Sequence, residues 1–150
     1  MFVIVGDHGQ NFEPVYDMNL NYHRVPLIFY SPSFFDHQVY NDPGLQEDIY
    51  PTLFGLLDFN YINNGMGVDL FKHNREFGYF SADIKLGVID DSFFLVYRGE
   101  NKISLYSYKD GSNQDLYAKY PEKAGLMLGY GFSMVQSANY LIEKKITSTK

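Results

Sequence analysis

The stretch Phe2-Val3-Ile4-Val5-Gly6-Asp7-His8-Gly9 decides how the fold is interpreted. Its initial apolar run is typical of a short strand that is buried on both faces. An acid and an imidazole follow directly, between two glycines. These glycines free the backbone to turn, so the adjacent side chains of Asp7 and His8 need not point to opposite faces. Because functional groups in open α/β sheets lie beyond the carboxyl ends of the strands, the stretch predicts a buried strand that leads into a functional site.

The composition is typical of a folded domain with a substantial core. The chain has 150 residues, of which 45% are hydrophobic and 18% aromatic, and a domain of this size buries roughly 70% of the surface of its unfolded chain. The net charge of −6 disfavours a surface that binds nucleic acid or an anionic membrane. The absence of cysteine excludes disulfides and thiolate metal sites, but it leaves the cellular compartment open. No apolar run of the sequence reaches the roughly 18 residues of a membrane span.

Residues 1–71 have the pattern of an α/β segment. The apolar runs Phe2–Val5 and Pro26–Tyr30 are bounded by glycine or proline and predict strands of a parallel sheet. A helix is predicted after the second strand, with Asp48 as its N-cap and Pro51 in its first turn, where proline is tolerated.

The remainder of the chain divides into two further zones. Residues 72–114 contain β-rich runs separated by turn residues, and they predict an antiparallel meander. Residues 115–146 predict a long terminal helix that Pro121 can open. Glycines at 125, 129 and 131 disfavour a straight helix there.

The pair Asp7-His8 is the first candidate metal site. A carboxylate oxygen and an imidazole nitrogen together suit Zn²⁺ or Mn²⁺. A turn acid beside a surface histidine is the plainer interpretation, because two residues alone make a weak motif. The position of the pair after an apolar strand and between glycines keeps both interpretations open.

Three further motifs follow in order. His23 and Arg24 begin H-x-x-P-L-I-x-Y-x-P, residues 46–53 form Q-x-D-I-x-P-T-L, and residues 67–71 form G-x-D-L-F. With the preceding D-H-G, this order resembles the C-terminal half of the sulfatase and phosphoglycerol transferase branch of the alkaline phosphatase superfamily. The resemblance covers residues 2 to about 71.

The resemblance implies a role for each candidate residue. Asp7 and His8 match two ligands of a divalent metal, Mn²⁺ or Zn²⁺, with Ca²⁺ or Mg²⁺ as alternatives. His23 matches a histidine that contacts the transferred phosphate or sulfate group, and Arg24 is a weaker candidate for contact with the same anion.

The resemblance also implies a fold, a reaction and a location. The fold is the C-terminal portion of a three-layer α/β sandwich. The reaction is a two-step transfer through a covalent enzyme ester. Phosphoglycerol or phosphoethanolamine transfer, as in relatives of lipoteichoic acid synthase, is favoured over sulfate ester hydrolysis. The location is the extracytoplasmic face of the cell envelope, with any membrane anchor outside this sequence.

The family's nucleophile and a further acidic ligand have no counterpart in this sequence. We therefore expect residues 1–150 to be one domain that is a C-terminal fragment of a larger catalytic domain, inactive alone. Its expected partner is the missing N-terminal half, or a second copy joined through an exposed sheet edge at the first strand. Two alternatives stay open: a degenerate domain that only binds, and a plain α/β interaction module in which Asp7, His8 and His23 are coincidental.

Several other polar residues are assigned structural roles. Gln46 and Asp48 are expected to serve as a helix cap and a packing contact, and Asp90-Asp91 as a turn between strands. His37 and His73 lack a motif and are expected on the surface.

Overall fold

Two separate antiparallel sheets organise the computed structural model, which describes residues 1–10, 12–144 and 146. The first sheet consists of β1 (Phe2–Val5) and β2 (Leu27–Tyr30). The second has the order β3-β4-β5-β6 and consists of β3 (Gly78–Ala82), β4 (Lys85–Ile89), β5 (Phe93–Tyr97) and β6 (Ile103–Ser107). The helices are α1 (Leu20–His23), α2 (Ile49–Leu56) and α3 (Pro121–Glu143), with 3₁₀ turns at Gln46–Asp48 and Tyr108–Asp110.

The four-stranded sheet confirms the predicted antiparallel meander. Short turns join its strands, and side chains in these turns stabilise them. The Asp90 carboxylate accepts hydrogen bonds from the backbone N–H groups of Ser92, at 2.8 Å, and Phe93, at 2.6 Å. Asp90 therefore closes the turn between β4 and β5, which is the role that the sequence predicts.

Helix α3 covers one face of this sheet and forms the main core with it. Ala124 and Met127 are buried against Val88, Leu95 and Leu105. Each fully buried large apolar side chain contributes roughly 1.5–3 kcal/mol to stability. This packing explains why the helix persists in spite of its glycines.

At Gly131, α3 lies close to the sheet. A Cβ atom at this residue would lie 2.7 Å from Val88 Cγ2 and 3.0 Å from Leu86 Cδ2. The glycine that the sequence marks as a weak point of the helix therefore permits its close packing.

The predicted helical zone 115–146 is longer than the helix that forms. The chain at 115–117 is instead held against β6, because Leu116 N–H donates to Leu105 O at 2.7 Å and the Asp115 carboxylate accepts from Leu105 N–H at 3.1 Å. Helix α3 begins only at Pro121, its first helical position, and ends at Glu143. Lys145, within the predicted zone, lies outside the described residues.

A loop covers the opposite face of the four-stranded sheet. Tyr16 and Met18 are buried there against Phe94. Between them, the Asp17 carboxylate accepts two hydrogen bonds from the Arg98 guanidinium, at 2.7 and 2.6 Å. Both faces of the sheet are thus covered, and the loop after β1 is fastened to the meander.

The structure corrects the prediction of parallel, doubly buried strands for β1 and β2. The two strands pair antiparallel, with Phe2 opposite Tyr30 and Ile4 opposite Ile28. These four side chains share one face, on which Phe2 is 67% and Tyr30 56% exposed. An apolar run predicts a strand but not its direction, and among the described residues each strand has only the other as a hydrogen-bonding neighbour.

The other face of the first sheet rests on aromatic side chains from the following segment. The ring of Phe29 lies edge-on to that of Phe71, with centroids 5.7 Å apart. Phe35 and Tyr40 also contact the Phe71 ring. The small sheet is therefore anchored on one face only.

Replacement of Gly131 by alanine tests the packing of α3. We expect Gly131→Ala to lower the free energy of unfolding by about 1–3 kcal/mol, because the new methyl group overlaps Val88. Gly125→Ala is the matched control, since a Cβ there meets nothing within 4 Å, and alanine raises helix propensity by up to about 1 kcal/mol. Urea unfolding of both variants measures the difference, and equal effects would contradict the packing account.

Candidate functional site

Asp7 and His8 lie together immediately after the carboxyl end of β1. His8 Nε2 is 3.9 Å from Asp7 Oδ2, and His8 N–H donates to Asp7 Oδ1 at 3.0 Å. The Asp7 side chain is 92% exposed and the His8 side chain is 53% exposed. A carboxylate oxygen and a ring nitrogen thus lie close together in an exposed position after the carboxyl end of β1.

The orientation of the His8 ring leaves one nitrogen free. Nδ1 is 2.8 Å from the backbone oxygen of Gly9, which can only accept a hydrogen bond, so Nδ1 carries the proton in that contact. In a neutral imidazole the lone pair is then on Nε2, the atom that faces Asp7. Such a hydrogen bond to the second nitrogen is a common means of orienting a metal-ligating histidine.

The Tyr22 ring packs against the face of the His8 ring. The two rings are stacked, with centroids 4.8 Å apart and an interplanar angle of 13°. Tyr22 is placed by α1, whose N-cap Asn19 accepts from Tyr22 N–H at 3.4 Å. The short helix therefore positions a predicted metal ligand.

Gly9 allows the strand end to approach α1. Its N–H donates to Tyr22 O at 2.7 Å, and a Cβ on it would lie 2.0 Å from Asn21 O. On the preceding side, Gln46 Nε2 donates to Gly6 O at 3.0 Å, in the packing role that the sequence predicts. The glycines on both sides of the pair thus have separate structural partners.

His23 ends α1 and is half-buried, next to the meander. Its ring lies 4.5 Å from that of Phe80 and edge-on to Tyr22, at 5.5 Å. Burial lowers the pKa of His23 below its ordinary 6.5, and the charge of Asp83 opposes that change. Burial therefore favours the neutral form of the ring, which can donate one hydrogen bond to an anion without adding charge.

The Arg24 side chain is exposed, and its charge affects the pKa of Tyr108. Burial raises the pKa of Tyr108, the charge of Asp90 adds to that rise, and the charge of Arg24 opposes it. In the described part of the chain, no ion pair joins Arg24 to Asp7. The structure therefore brings Asp7 and His8 together and connects His23 to His8 through Tyr22, while the backbone of Arg24 lies near Gly9 and its charge acts on Tyr108.

The pair does not form a complete metal site by itself. Within residues 1–10, 12–144 and 146, no group of three or more His, Asp or Glu side chains is arranged to hold a metal ion. A catalytic metal usually has at least three protein ligands and an open position. Asp7 and His8 fit the chemistry of two of those ligands.

Asp48 is part of a buried network that the sequence does not predict. It does not cap α2 through its side chain; instead it accepts from Leu45 N–H and Val68 N–H, each at 2.8 Å. It also accepts from Arg75 Nε at 2.6 Å. The Asp48 side chain is 0% exposed and that of Arg75 is 6% exposed. Asp48 thus occupies the predicted N-cap position of α2, but its side chain makes no capping hydrogen bond to that helix, because its donors lie outside α2.

Arg75 extends the network to the meander and to α3. It donates to Glu47 Oε1 at 3.0 Å and to Tyr130 Oη at 3.3 Å. Burial alone would lower the pKa of Arg75, but the hydrogen bonds and charge of Asp48 raise it above its ordinary value. Tyr79 on β3 donates to the same Glu47 carboxylate at 3.2 Å. No sequence motif includes Arg75. Of the two charged residues at the centre of the network, only Asp48 is singled out by a motif, Q-x-D-I.

Comparison of the chain with models of known protein families and with curated proteins finds no match. In the part of the chain that the structure describes, no helix has the length and apolar character needed to cross a bilayer.

Removal of Arg75 tests the structural role of the network. We expect Arg75→Ala to lower the free energy of unfolding by about 3–5 kcal/mol, because the Asp48 carboxylate is left buried without its cation. The exposed pair of Lys102 and Glu100 gives the control, and Lys102→Ala should change stability by less than about 1 kcal/mol. Similar small losses in both variants, measured by denaturant unfolding, would refute the assigned role of Arg75.

Because the pKa of His23 is lowered in the folded protein, the free energy of unfolding decreases as pH falls. The unfolded chain takes up the proton near pH 6.5, whereas the folded chain resists it, so stability present above that pH is lost as pH falls through it. We expect His23→Gln to show a smaller loss of unfolding free energy than the wild type between about pH 7.5 and 5.5. His37→Gln, at an exposed position, should retain the wild-type loss. Identical pH profiles for all three proteins would contradict this assignment.

Proposed function

We propose that Asp7 and His8 supply two ligands of a divalent metal site in a phosphoglycerol or phosphoethanolamine transferase, with sulfate ester hydrolysis as the related alternative. The observation that carries this proposal is the convergence of the Asp7 carboxylate and the free Nε2 of His8, 3.9 Å apart at the end of a strand. The Gly9 carbonyl and the Tyr22 ring support it, since both orient the imidazole without occupying that nitrogen.

The residues of this chain would have distinct tasks. Asp7 and His8 would hold Mn²⁺ or Zn²⁺, and such an ion, when bound, lowers the pKa of a hydroxyl nucleophile and offsets charge on phosphate or sulfate oxygens. His23, whose neutral form burial favours, would donate a hydrogen bond to one of those oxygens. The resemblance alone supports the extracytoplasmic location and the two-step course of the reaction.

The proposed activity needs a nucleophile and further ligands from a longer polypeptide. Thr52 does not meet that need, since it is fully buried and its hydroxyl donates to Val68 O at 3.4 Å and accepts from Leu70 N–H at 3.0 Å. The uncovered face of the small sheet supports the proposal, because Phe2 and Tyr30 lie on it with more than half of their surface exposed. Helices of a three-layer sandwich would cover this face, and further strands or a second copy would extend the sheet at its edge.

A domain of the same fold that binds but does not catalyse is the second candidate. The Asp7–His8 pair is equally compatible with it, since metal binding by these two side chains needs no nucleophile. The two candidates make the same prediction for metal binding and opposite predictions for turnover.

Calorimetric titration with Mn²⁺ and Zn²⁺ tests the metal site. We expect weak binding by the chain, and a loss of about tenfold or more in affinity for Asp7→Ala and for His8→Ala, because each removes one of two ligands. His37→Ala, at an exposed histidine outside the site, is the control and should bind as the wild type does. Equal affinity in all four proteins would refute the site.

Turnover is tested with the longest reading frame that contains this sequence. Release of product from phosphatidylglycerol and from an aryl sulfate distinguishes transferase from sulfatase, and His8→Ala should abolish whichever activity is found. Metal binding without release from either ester would favour the second candidate, the non-catalytic domain.

A further inference from the structure

An open cleft of about 440 Å³ lies beside the carboxyl end of α2, formed by residues between 51 and 73. It shares no lining residue with the site of Asp7, His8 and His23. Its volume falls within the range of sites for small molecules. The cleft therefore needs an explanation that is independent of the proposed metal site.

Asp58 lines the cleft and has a left-handed backbone conformation. Helix α2 ends in a Schellman motif, in which Phe59 N–H donates to Phe54 O at 2.9 Å and Asp58 adopts the left-handed conformation, with φ of 53°. Glycine usually occupies this position because a Cβ atom is disfavoured there. Within the described part of the chain, no hydrogen bond or ion pair engages the Asp58 carboxylate. Helix capping explains the backbone conformation of Asp58, but it provides no partner for the carboxylate.

An aromatic wall faces the polar side of the cleft. The rings of Phe59 and Tyr61 both contact that of Phe54 edge-on, with centroids 5.9 and 4.9 Å away. Phe59 is nevertheless 58% and Tyr61 41% exposed. Both rings thus line the cleft and retain exposed apolar surface.

The charges around the cleft disfavour an anionic ligand. Asp69 Oδ2 pairs with Lys72 Nζ at 3.1 Å, so the Asp58 carboxylate remains as the unpaired charge among the described residues that line the cleft. An anion would meet this negative charge, whereas a hydroxyl group can donate a hydrogen bond to it. The side chains of Asn60 and His73, which also line the cleft, can donate and accept hydrogen bonds. A neutral ligand with many hydroxyl groups satisfies all of these groups at once.

The walls of the cleft are held in place before any ligand arrives. Asn63 fixes the loop by donating to Gly67 O at 2.8 Å and accepting from Gly65 N–H at 3.0 Å. Gly55 lies so close to the Asp69 carboxylate that a Cβ would come within 1.9 Å of Oδ2. A preformed site loses less conformational entropy on binding.

We propose that this cleft binds a neutral saccharide, with a sugar ring against Phe59 and Tyr61 and its hydroxyl groups bonded to Asp58, Asn60 and His73. The proposal rests on the shape of the cleft, on its aromatic side chains and on the unpaired Asp58 carboxylate. It does not depend on the metal site and would stand if that site failed.

Saturation-transfer NMR with cellobiose and maltose tests the proposal on the whole chain. We expect transfer from the protein to at least one of the two sugars, and a loss of most of that transfer in Tyr61→Ala. Tyr117→Ala is the matched control, because Tyr117 is 39% exposed and lies outside the cleft. No transfer to either sugar, or equal transfer in both variants, would overturn the proposal. Preferential binding of choline or inorganic phosphate at the cleft would also overturn it.

Asp58→Gly separates a functional role of this carboxylate from a structural one. Glycine relieves the left-handed strain, so the thermal midpoint should rise while saccharide transfer falls. Asp58→Asn should retain transfer, since its amide oxygen can still accept a hydrogen bond. A glycine variant that binds sugar as well as the wild type does would refute the assigned role of Asp58.

Discussion

The fold depends on a buried ion pair between Asp48 and Arg75. Asp48 satisfies backbone donors from two separate loops, at Leu45 and Val68, while Arg75 reaches Tyr130 on α3. A buried ion pair is weak support for stability in itself, because desolvation offsets much of its attraction. Its consequence here is to connect the loops at Leu45 and Val68 with the terminal helix. The neighbouring Gln46 in turn donates to the backbone oxygen of Gly6, the residue before Asp7.

The sequence predicts the parts of the fold that depend on local pattern. The meander, the turn at Asp90 and the start of α3 at Pro121 follow from β-rich runs, turn chemistry and the tolerance of proline at a helix start. Strand direction in the small sheet was predicted wrongly, because an apolar run is the same in parallel and antiparallel ladders. The Asp48–Arg75 pair joins residues that are 27 positions apart, and no local signal connects them.

The candidate site is predictable to a similar degree. The sequence marks Asp7, His8 and His23 by their places in motifs, and the structure brings the first two within 3.9 Å of each other. It does not mark Tyr22, whose ring orients His8 and contacts His23. A tyrosine in a short polar segment has no periodic signal, and its role arises only when Gly9 lets the strand end pack against α1.

The central claim is that a divalent ion binds at the end of β1, and its most direct test is Mn²⁺ titration of isotopically labelled protein followed by NMR. Bound Mn²⁺ broadens the signals of nearby amides, so the account predicts that Gly6–Gly9 and Tyr22 broaden first, at a Mn²⁺ concentration that leaves other signals intact. Early broadening at Asp90-Asp91 or at Asp58 instead, with Asp7 and His8 unaffected, would contradict it.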